Sequence, residues 1–170
     1  IHIQDAIILF HPNGTDNAAI KKAILKCGSI GVTYANYYIC YNPNTSSYYN
    51  FNENEHVNHF VSIVGWDDNY PASNFNITAG MDAPPEERVN PPGDGAWIVK
   101  NSYGTEFGNN GYMYMSYYDK SLMSNSFGIA YPLDNLEYYT AIYQTDISGE
   151  LEKNESNEST ISYKNRYNIS

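Results

Sequence analysis

Residues 95–119, GAWIVKNSYGTEFGNNGYMYMSYYD, decide the expected fold because they join two strand-like segments through a polar, glycine-rich corner. The run before Lys100 is rich in Trp, Ile and Val, and residues 111–118 alternate Tyr with Met, which is typical of two strands in a sheet. Between them stand Asn101 and three spaced glycines. An asparagine at the edge of a buried strand is either part of a turn or half of a site.

A second apolar run, residues 60–66, has the same character, since it is short, rich in Val and Ile, and closed by a glycine and a tryptophan. If the two runs pair antiparallel with Gly65 opposite Gly95, then His59 lies opposite Asn101. Side chains alternate along a strand, so both odd-numbered residues lie on one face of the sheet. A carboxamide oxygen can hold an imidazole in one tautomer and orient it as a base toward a nucleophile.

The apolar runs predict an α+β fold, in which a mostly antiparallel sheet or partial barrel carries one clear helix on one side. The helix is predicted over residues 18–26, with a cap at Thr15 or Asp16 and an exit at Gly28. The predicted strands are residues 1–10, 30–35, 60–66, 96–99, 111–118 and 127–133.

Two long polar segments separate these elements. Residues 37–55 are rich in Tyr, Asn and Ser and are predicted to form a surface loop. Residues 67–95 contain so much Pro, Gly, Asn and Asp that we expect an insertion without regular structure.

Composition excludes several classes of function. The net charge is -10, with 19 acidic and 9 basic residues and no basic cluster, so we expect neither a nucleic acid nor an anionic membrane as partner. No apolar run approaches about 18 residues, so no membrane span is predicted. Oxygen ligands in the insertion lack the alternation of an EF-hand, and we predict no metal and no cofactor; these residues are Asp67, Asp68, Asn69, Asp82 and Asp94.

The two cysteines, Cys27 and Cys40, could pair, stay free or include a reactive thiol, and their spacing does not decide among these states. Cys27 lies on the apolar face of the predicted helix. Cys40 precedes His59 in a loop that offers no helix N-terminus to lower the pKa of its thiol, so we do not expect it to be a nucleophile.

Two motifs resemble the signatures of papain-like cysteine peptidases. NHFVSIVGW, residues 58–66, resembles the segment that supplies the catalytic histidine, and WIVKNSYGTEFGNNGY, residues 97–112, resembles the Lys-Asn-Ser-Trp-Gly segment that supplies an orienting asparagine. The resemblance covers roughly residues 3–133. The loop after Gly-Trp-Asp-Asp and the PPGDGAWIVKNS entry resemble the bacterial and archaeal cell-surface branch of the family.

This resemblance implies that His59 is the general base and imidazolium partner, and that Asn101 orients it. It also implies that Asn58 and Tyr103 form pocket wall. The family's nucleophilic Cys and oxyanion Gln lie in an upstream helical lobe, and no matching Gln-x-Gly-x-Cys segment occurs in this sequence. Residues 1–135 are therefore expected to be the C-terminal, β-rich lobe of such a peptidase, with an insertion at 67–95.

Residues 136–170 are expected to be a linker or the truncated start of a following β domain. The implied function is hydrolysis of polypeptide substrates by a thiolate and an imidazolium, with the upstream lobe as partner and an extracellular or cell-surface location. The alternative is a catalytically inactive surface binding or adhesion module, because Tyr103 and Phe107 stand where the family commonly has Trp.

Overall fold

The computed structural model describes residues 2–3, 6–10, 17–52, 55–78, 88–124 and 126–134. The strands in these residues are, in chain order, β1 (His2–Ile3), β2 (Ile7–Phe10), β3 (Ile30–Tyr34), β4 (Tyr41–Asn42), β5 (Ser47–Tyr48), β6 (His59–Asp67), β7 (Ile77–Thr78), β8 (Arg88–Val89), β9 (Ala96–Lys100), β10 (Tyr112–Ser116), β11 (Phe127–Ala130) and β12 (Leu133–Asp134). The α-helix is α1 (Asn17–Cys27), and two 3-10 turns are Tyr38–Cys40 and Ala72–Asn74.

An eight-stranded sheet in the order β2-β11-β3-β6-β9-β10-β5-β4 carries the fold. Neighbouring strands are antiparallel except β10 and β5, which are parallel. The predicted α+β class with a mostly antiparallel sheet is thereby confirmed. In the described part of the chain the sheet stays open, with β2 and β4 at its edges, which is consistent with the predicted sheet or partial barrel.

Helix α1 covers one face of this sheet. Its buried residues Ile20, Ala23 and Ile24 follow the helical spacing, and they pack in the core with residues of β3 and β6. Gly28 ends the helix with φ +83°, and its N–H donates to Ile24 O at 2.7 Å, as expected for a left-handed residue after a helix. The predicted capping residues Thr15 and Asp16 lie outside the described residues.

Strands β6 and β9 pair antiparallel as predicted, but the predicted register is wrong. Ser62 lies opposite Lys100 and Gly65 opposite Ile98, and the register shifts at a bulge between Ile63 and Gly65. Before the bulge the error is an even number of residues, so the predicted faces are correct although the opposed residues are not. The extra residue of the bulge could not be read from the apolar pattern.

The prediction that residues 37–55 form a surface loop is wrong. This segment supplies β4 and β5, and Cys40, Tyr48 and Asn50 are buried. Its contacts are distant in sequence, since β5 pairs with β10 and Lys120 N donates to Asn50 O at 2.8 Å. Polar side chains that suggested a loop are partly satisfied there, since Asn42 Nδ2 and Ser47 Oγ both donate to Asn74 O at 3.0 Å.

The insertion is partly regular, contrary to expectation. It contains the 3-10 turn Ala72–Asn74 and the antiparallel pair β7 and β8, while residues 79–87 lie outside the described residues. Residues 136–170 also lie outside them, so the predicted division of the chain at 135 stays a prediction.

A buried carboxyl group, Asp119, ties the 37–55 segment to the end of β10. Asp119 is 6% exposed and accepts hydrogen bonds from Asn50 N at 2.7 Å, Ser121 N at 2.9 Å and Ser121 Oγ at 2.7 Å. Ser121 Oγ also accepts the Ala35 N–H at 3.1 Å. Burial raises the pKa of Asp119 to about 6, because the hydrogen bonds to the carboxylate offset only part of the loss of hydration.

This raised pKa predicts a pH-dependent contribution of Asp119 to stability. A carboxyl group whose pKa is higher in the folded state stabilises the fold below its ordinary pKa of 3.8, and this contribution is lost as the pH rises through about 6. Relative to Asp119→Asn, which cannot ionise, the chain should lose on the order of 2 to 3 kcal/mol of unfolding free energy between about pH 4 and pH 7. Urea unfolding at several pH values measures this difference.

Glu106→Gln, which removes an exposed carboxyl group and keeps Asp119, is the control. The difference in unfolding free energy between the chain and Glu106→Gln should show no such change with pH. The altered hydrogen bonds of Asp119→Asn add an offset that is the same at every pH. A difference between the chain and Asp119→Asn that stays constant with pH contradicts the prediction.

Candidate active site

His59 and Asn101 meet at one end of the β6–β9 pair. His59 is the first residue of β6, and Asn101 directly follows β9. The observed register continued by one residue brings Asn101 beside Val61, so His59 is its diagonal neighbour on the same face. His59 Nε2 lies 2.9 Å from Asn101 Oδ1. The predicted pair therefore makes contact by a diagonal arrangement rather than by direct opposition.

The hydrogen bonds of Asn101 determine which imidazole nitrogen carries the proton. The Ser102 N–H donates to Asn101 Oδ1 at 2.8 Å, and a backbone N–H requires an acceptor, so this atom is the carboxamide oxygen and not the nitrogen. The same oxygen can only accept from the ring, so His59 Nε2 is the donor. In a neutral imidazole, Nδ1 then holds the lone pair and is the basic nitrogen.

The loop of residues 101–111 fixes Asn101 by returning to its own start. Asn101 N donates to Gly111 O at 3.0 Å, and Gly111 has φ +89°. At Gly108, with φ +55°, an added Cβ would lie 2.3 Å from Tyr112 O. Side chains at these two positions would push the loop open, so the spaced glycines of the sequence keep Asn101 against the strand end.

Two tyrosines enclose the imidazole. The Tyr103 ring stacks on His59 with centroids 5.1 Å apart and an interplanar angle of 6°, and Tyr34 meets the His59 ring edge-on at 5.6 Å. Phe107 packs edge-on against Tyr103 at 5.3 Å. Tyr103 was predicted from the motif. Tyr34 was missed, because it alternates with Ile30 and Val32 and reads as ordinary core.

Tyr34 and Asn101 share a dry environment. Tyr34 is buried, which raises the pKa of its hydroxyl far above the ordinary value; a hydrogen bond with the Asn101 side chain only partly offsets this effect. Asn101 is also buried, and its Nδ2 has no partner of standard geometry in the part of the chain that the structure describes. Exclusion of water strengthens the His59–Asn101 hydrogen bond.

Asn58, the other predicted pocket residue, contacts Asn36, which lies two residues after the end of β3. Asn58 Oδ1 accepts the Asn36 N–H at 2.7 Å, and Asn58 Nδ2 lies 3.5 Å from Asn36 O. Asn36 Nδ2 in turn lies 2.8 Å from the Tyr103 hydroxyl. The structure thus brings together all four residues that the motifs singled out, His59, Asn101, Asn58 and Tyr103, and adds Asn36.

Neither cysteine of the chain is poised as a nucleophile, and both are free of disulfide bonds. Cys40 is 1% exposed, and burial raises the pKa of its thiol to about 11, so it is not a thiolate at neutral pH. Cys27 lies before the start of β3, whose first residue, Ile30, pairs with Ile63. Ile63 is about 13 Å from His59 along β6 at the usual rise of a strand, so Cys27 is at the far end of β3 from His59.

The acidic residues of the insertion that the structure describes have local partners. Asp68 pairs with Lys21 at 2.5 Å and accepts from the Tyr117 hydroxyl at 2.9 Å, and its hydrogen bonds to Lys21 and Tyr117 lower its pKa. Asp67 Oδ1 accepts Asn69 N, and Asp94 Oδ1 accepts Ala72 N. Across the described ranges no cluster of three metal-ligating residues is present. Those ranges also contain no helix of the length and apolarity that crossing a membrane requires.

Comparisons with known proteins place this geometry in a known fold. A family model described as papain family cysteine protease matches residues 6–132. The clostridial cysteine protease Cwp84 after propeptide cleavage has a TM-score of 0.62 and 34% sequence identity, over 75% of this chain and 28% of that chain. No match is found among curated protein sequences.

A second solved structure contains the cysteine protease and lectin-like domains of Cwp84, described as a surface layer associated protein of Clostridium difficile. It has a TM-score of 0.62 and 33% identity, over 77% of this chain and 26% of that chain. The chain therefore spans about a quarter of the length of these two solved chains. The matches confirm the resemblance read from residues 58–66 and 97–112, including its bacterial cell-surface branch.

The hydrogen bonds of Asn101 predict one tautomer of the neutral His59 ring. In long-range ¹H–¹⁵N spectra of the chain with a neutral ring, His59 should show a protonated Nε2 and an unprotonated Nδ1. Asn101→Ala removes the acceptor, so the ring should become a mixture of both tautomers. Asn44→Ala, an exposed asparagine in the β4–β5 turn, is the control. A protonated Nδ1 in the unaltered chain contradicts the assignment.

Proposed function

The chain belongs to the papain family of cysteine proteases, and from this membership we propose that it supplies the general base His59 and the orienting residue Asn101 of a peptidase. The observation that carries the proposal is the 2.9 Å contact between His59 Nε2 and Asn101 Oδ1. An imidazole held through Nε2 presents Nδ1 as the nitrogen that exchanges protons with a nucleophile and a leaving group.

The proposed reaction is hydrolysis of a peptide bond through an acyl-enzyme. His59 Nδ1 takes the proton of a thiol, the thiolate attacks the peptide carbonyl carbon, and the imidazolium returns the proton to the leaving amine. A water molecule then gives a proton to His59 and attacks the thioester, which releases the carboxylate product and the thiol. Throughout the cycle the Nε2–H group of His59 stays hydrogen-bonded to Asn101 Oδ1, so the ring exchanges protons at Nδ1 without rotating.

We propose that the thiol and its oxyanion-binding glutamine come from an upstream helical lobe. Support comes from the cysteines of the chain itself, since Cys40 is buried and burial raises the pKa of its thiol to about 11. The sheet also has an outer apolar face, on the side away from α1, which consists of Ile8, Phe10, Phe60, Phe127 and Ile129. Phe10 is 74% and Phe60 53% exposed, and Phe10 contacts Phe127 across β2 and β11. Contiguous exposed apolar surface is typical of an interface, but this face is not the one on which His59 lies, because His59 alternates with Phe60 along β6.

Tyr103 and Asn58 would then form one wall of the substrate cleft. The Tyr103 ring lies on His59 with one side, and the residue is 51% exposed, so its other side is available to a polypeptide. Asn58 lies in the exposed segment directly before His59. For the location, we propose the extracellular space or the cell surface, with the surface-layer association of Cwp84 as support.

The alternative of an inactive binding module rested on Tyr103 and Phe107 in place of Trp. Tyr103 still covers His59, since its ring stacks on the imidazole, and Phe107 packs against Tyr103. No observation in the described residues favours the alternative over the peptidase.

A first experiment reads the reading frame upstream of Ile1. The proposal expects a Gln followed within a few residues by a Cys at the start of a helix. Expressed together with that region, the chain should hydrolyse peptides in a thiol-dependent reaction. His59→Ala should lower kcat by about 10³-fold or more, and Asn101→Ala by about 10- to 100-fold, because the tyrosines still hold the ring.

His56→Ala is the matched control, since His56 is exposed and lies three residues before the proposed base. It should retain full activity. Undiminished activity in His59→Ala, or activity that survives alkylation of all thiols, contradicts the proposed function.

The outer apolar face predicts that the chain on its own self-associates. Light scattering should show an apparent mass that rises with concentration, and the paired change Phe10→Ser and Phe127→Ser should lower it because it removes the two contacting rings. Leu25→Ser, an exposed leucine on α1, is the control and should have no effect. A monomer at millimolar concentration in the unaltered chain contradicts the prediction.

A further inference from the structure

Among the described residues, the Tyr103 side chain makes one polar contact in addition to its ring contacts with His59 and Phe107. Its hydroxyl lies 2.8 Å from Asn36 Nδ2, and a hydroxyl can donate or accept, so the contact holds for either orientation of the amide. Tyr103 stands in the loop of residues 101–111 and is half-exposed, so core packing on its outer side does not hold the ring in place. Phe107 supports only one edge.

Asn36 is itself held from two sides. Asn58 N donates to Tyr34 O at 3.1 Å as the β3–β6 ladder ends, and the Asn58 side chain then accepts the Asn36 N–H at 2.7 Å. The Asn58 carboxamide thus supplies one further hydrogen bond between the two chain segments, after the backbone hydrogen bonds between β3 and β6 have ended. On the other side, the residue before Asn36 is fixed, since Ala35 N donates to Ser121 Oγ and the Tyr48 hydroxyl donates to Ala35 O.

This segment controls both rings on His59. Tyr34 meets the imidazole edge-on, and two residues later Asn36 holds the ring that stacks on it. The same short stretch, Tyr34 to Asn36, therefore sets the two aromatic contacts that exclude water from the His59–Asn101 hydrogen bond. No residue of this stretch belongs to either sequence motif.

We infer that Asn36 is a positioning residue for His59: its side chain keeps Tyr103 closed over the imidazole, and Asn58 holds the backbone from which that side chain projects. The inference deepens the proposed function, on which its catalytic consequence rests. Without the tether the Tyr103 ring spends part of its time away from His59, water reaches the Nε2 hydrogen bond, and the base loses its fixed orientation.

The first test is independent of catalysis and uses the chain itself. Stacking shifts the NMR signals of the His59 ring protons upfield, and Tyr103→Ala defines the unstacked value. Tyr103→Phe keeps the ring but removes the hydroxyl, and Asn36→Ala removes the partner. Each should reduce the upfield shift, and the double variant should match either single one, because both changes remove the same contact. Tyr112→Phe, on the strand after the loop, is the control.

The second test measures catalysis in the chain joined to its upstream region. Tyr103→Phe and Asn36→Ala should each lower kcat by about 3- to 10-fold, the effect of one lost hydrogen bond, with KM unchanged. A rise in KM at constant kcat would mean that the contact between Tyr103 and Asn36 affects substrate binding alone, and would overturn the positioning role. An unchanged ring-proton shift in both variants would also overturn it.

The two tests separate the inference from the proposed function. Activity that survives His59→Ala refutes the peptidase role, while the shifts of the ring protons still decide whether Asn36 holds Tyr103. Conversely, an inactive His59→Ala variant combined with unaltered stacking in Asn36→Ala refutes only the inference. The dispersion of the backbone amide signals confirms in each variant that the chain is folded.

Discussion

The hydrogen bond between His59 Nε2 and Asn101 Oδ1 is the interaction on which the site depends, and the pairing of two strands of the sheet makes it possible. The histidine opens β6 and the asparagine closes β9, so the pairing of these two strands delivers both side chains to one edge. The glycine-rich loop then holds the asparagine by returning to its backbone. A change at either strand end therefore alters the distance between these two atoms.

The aromatic surroundings give this hydrogen bond its environment. The family's common tryptophan is replaced by Tyr103, whose smaller ring covers less of the imidazole but brings a hydroxyl that can be tethered. Tyr34 adds a second, buried ring that meets the imidazole edge-on. A smaller ring that is held can protect a hydrogen bond as well as a larger one that is held by packing alone, because coverage depends on occupancy as well as on area.

Sequence alone predicted the strands that have apolar runs, but not the short strands in the polar segments. It predicted the buried faces of β6 and β9, since apolar alternation indicates which side of a strand is buried. It also predicted the partners His59 and Asn101, because each lies at the end of an apolar run. The register was wrong, because a bulge adds a residue without altering composition. The burial of residues 37–55 was missed because several of their polar groups bind residues far along the chain, such as Asp119, which accepts the Asn50 N–H, and Asn74 O, which accepts from Ser47 Oγ. Asn36 was invisible for the same reason, as its role arises only through side chains from two other segments.

The bulge between Ile63 and Gly65 divides β6 into two parts that pair with β9 in different registers. The register of the part that carries His59 is set by the pairing of Ser62 and Ile63 with β9, whereas the part beyond the bulge leads into the long segment before β9. A gain or loss of residues in that segment can be absorbed where the register already changes. Over evolutionary time, this end of the molecule is therefore free to vary in length while the histidine keeps its orientation.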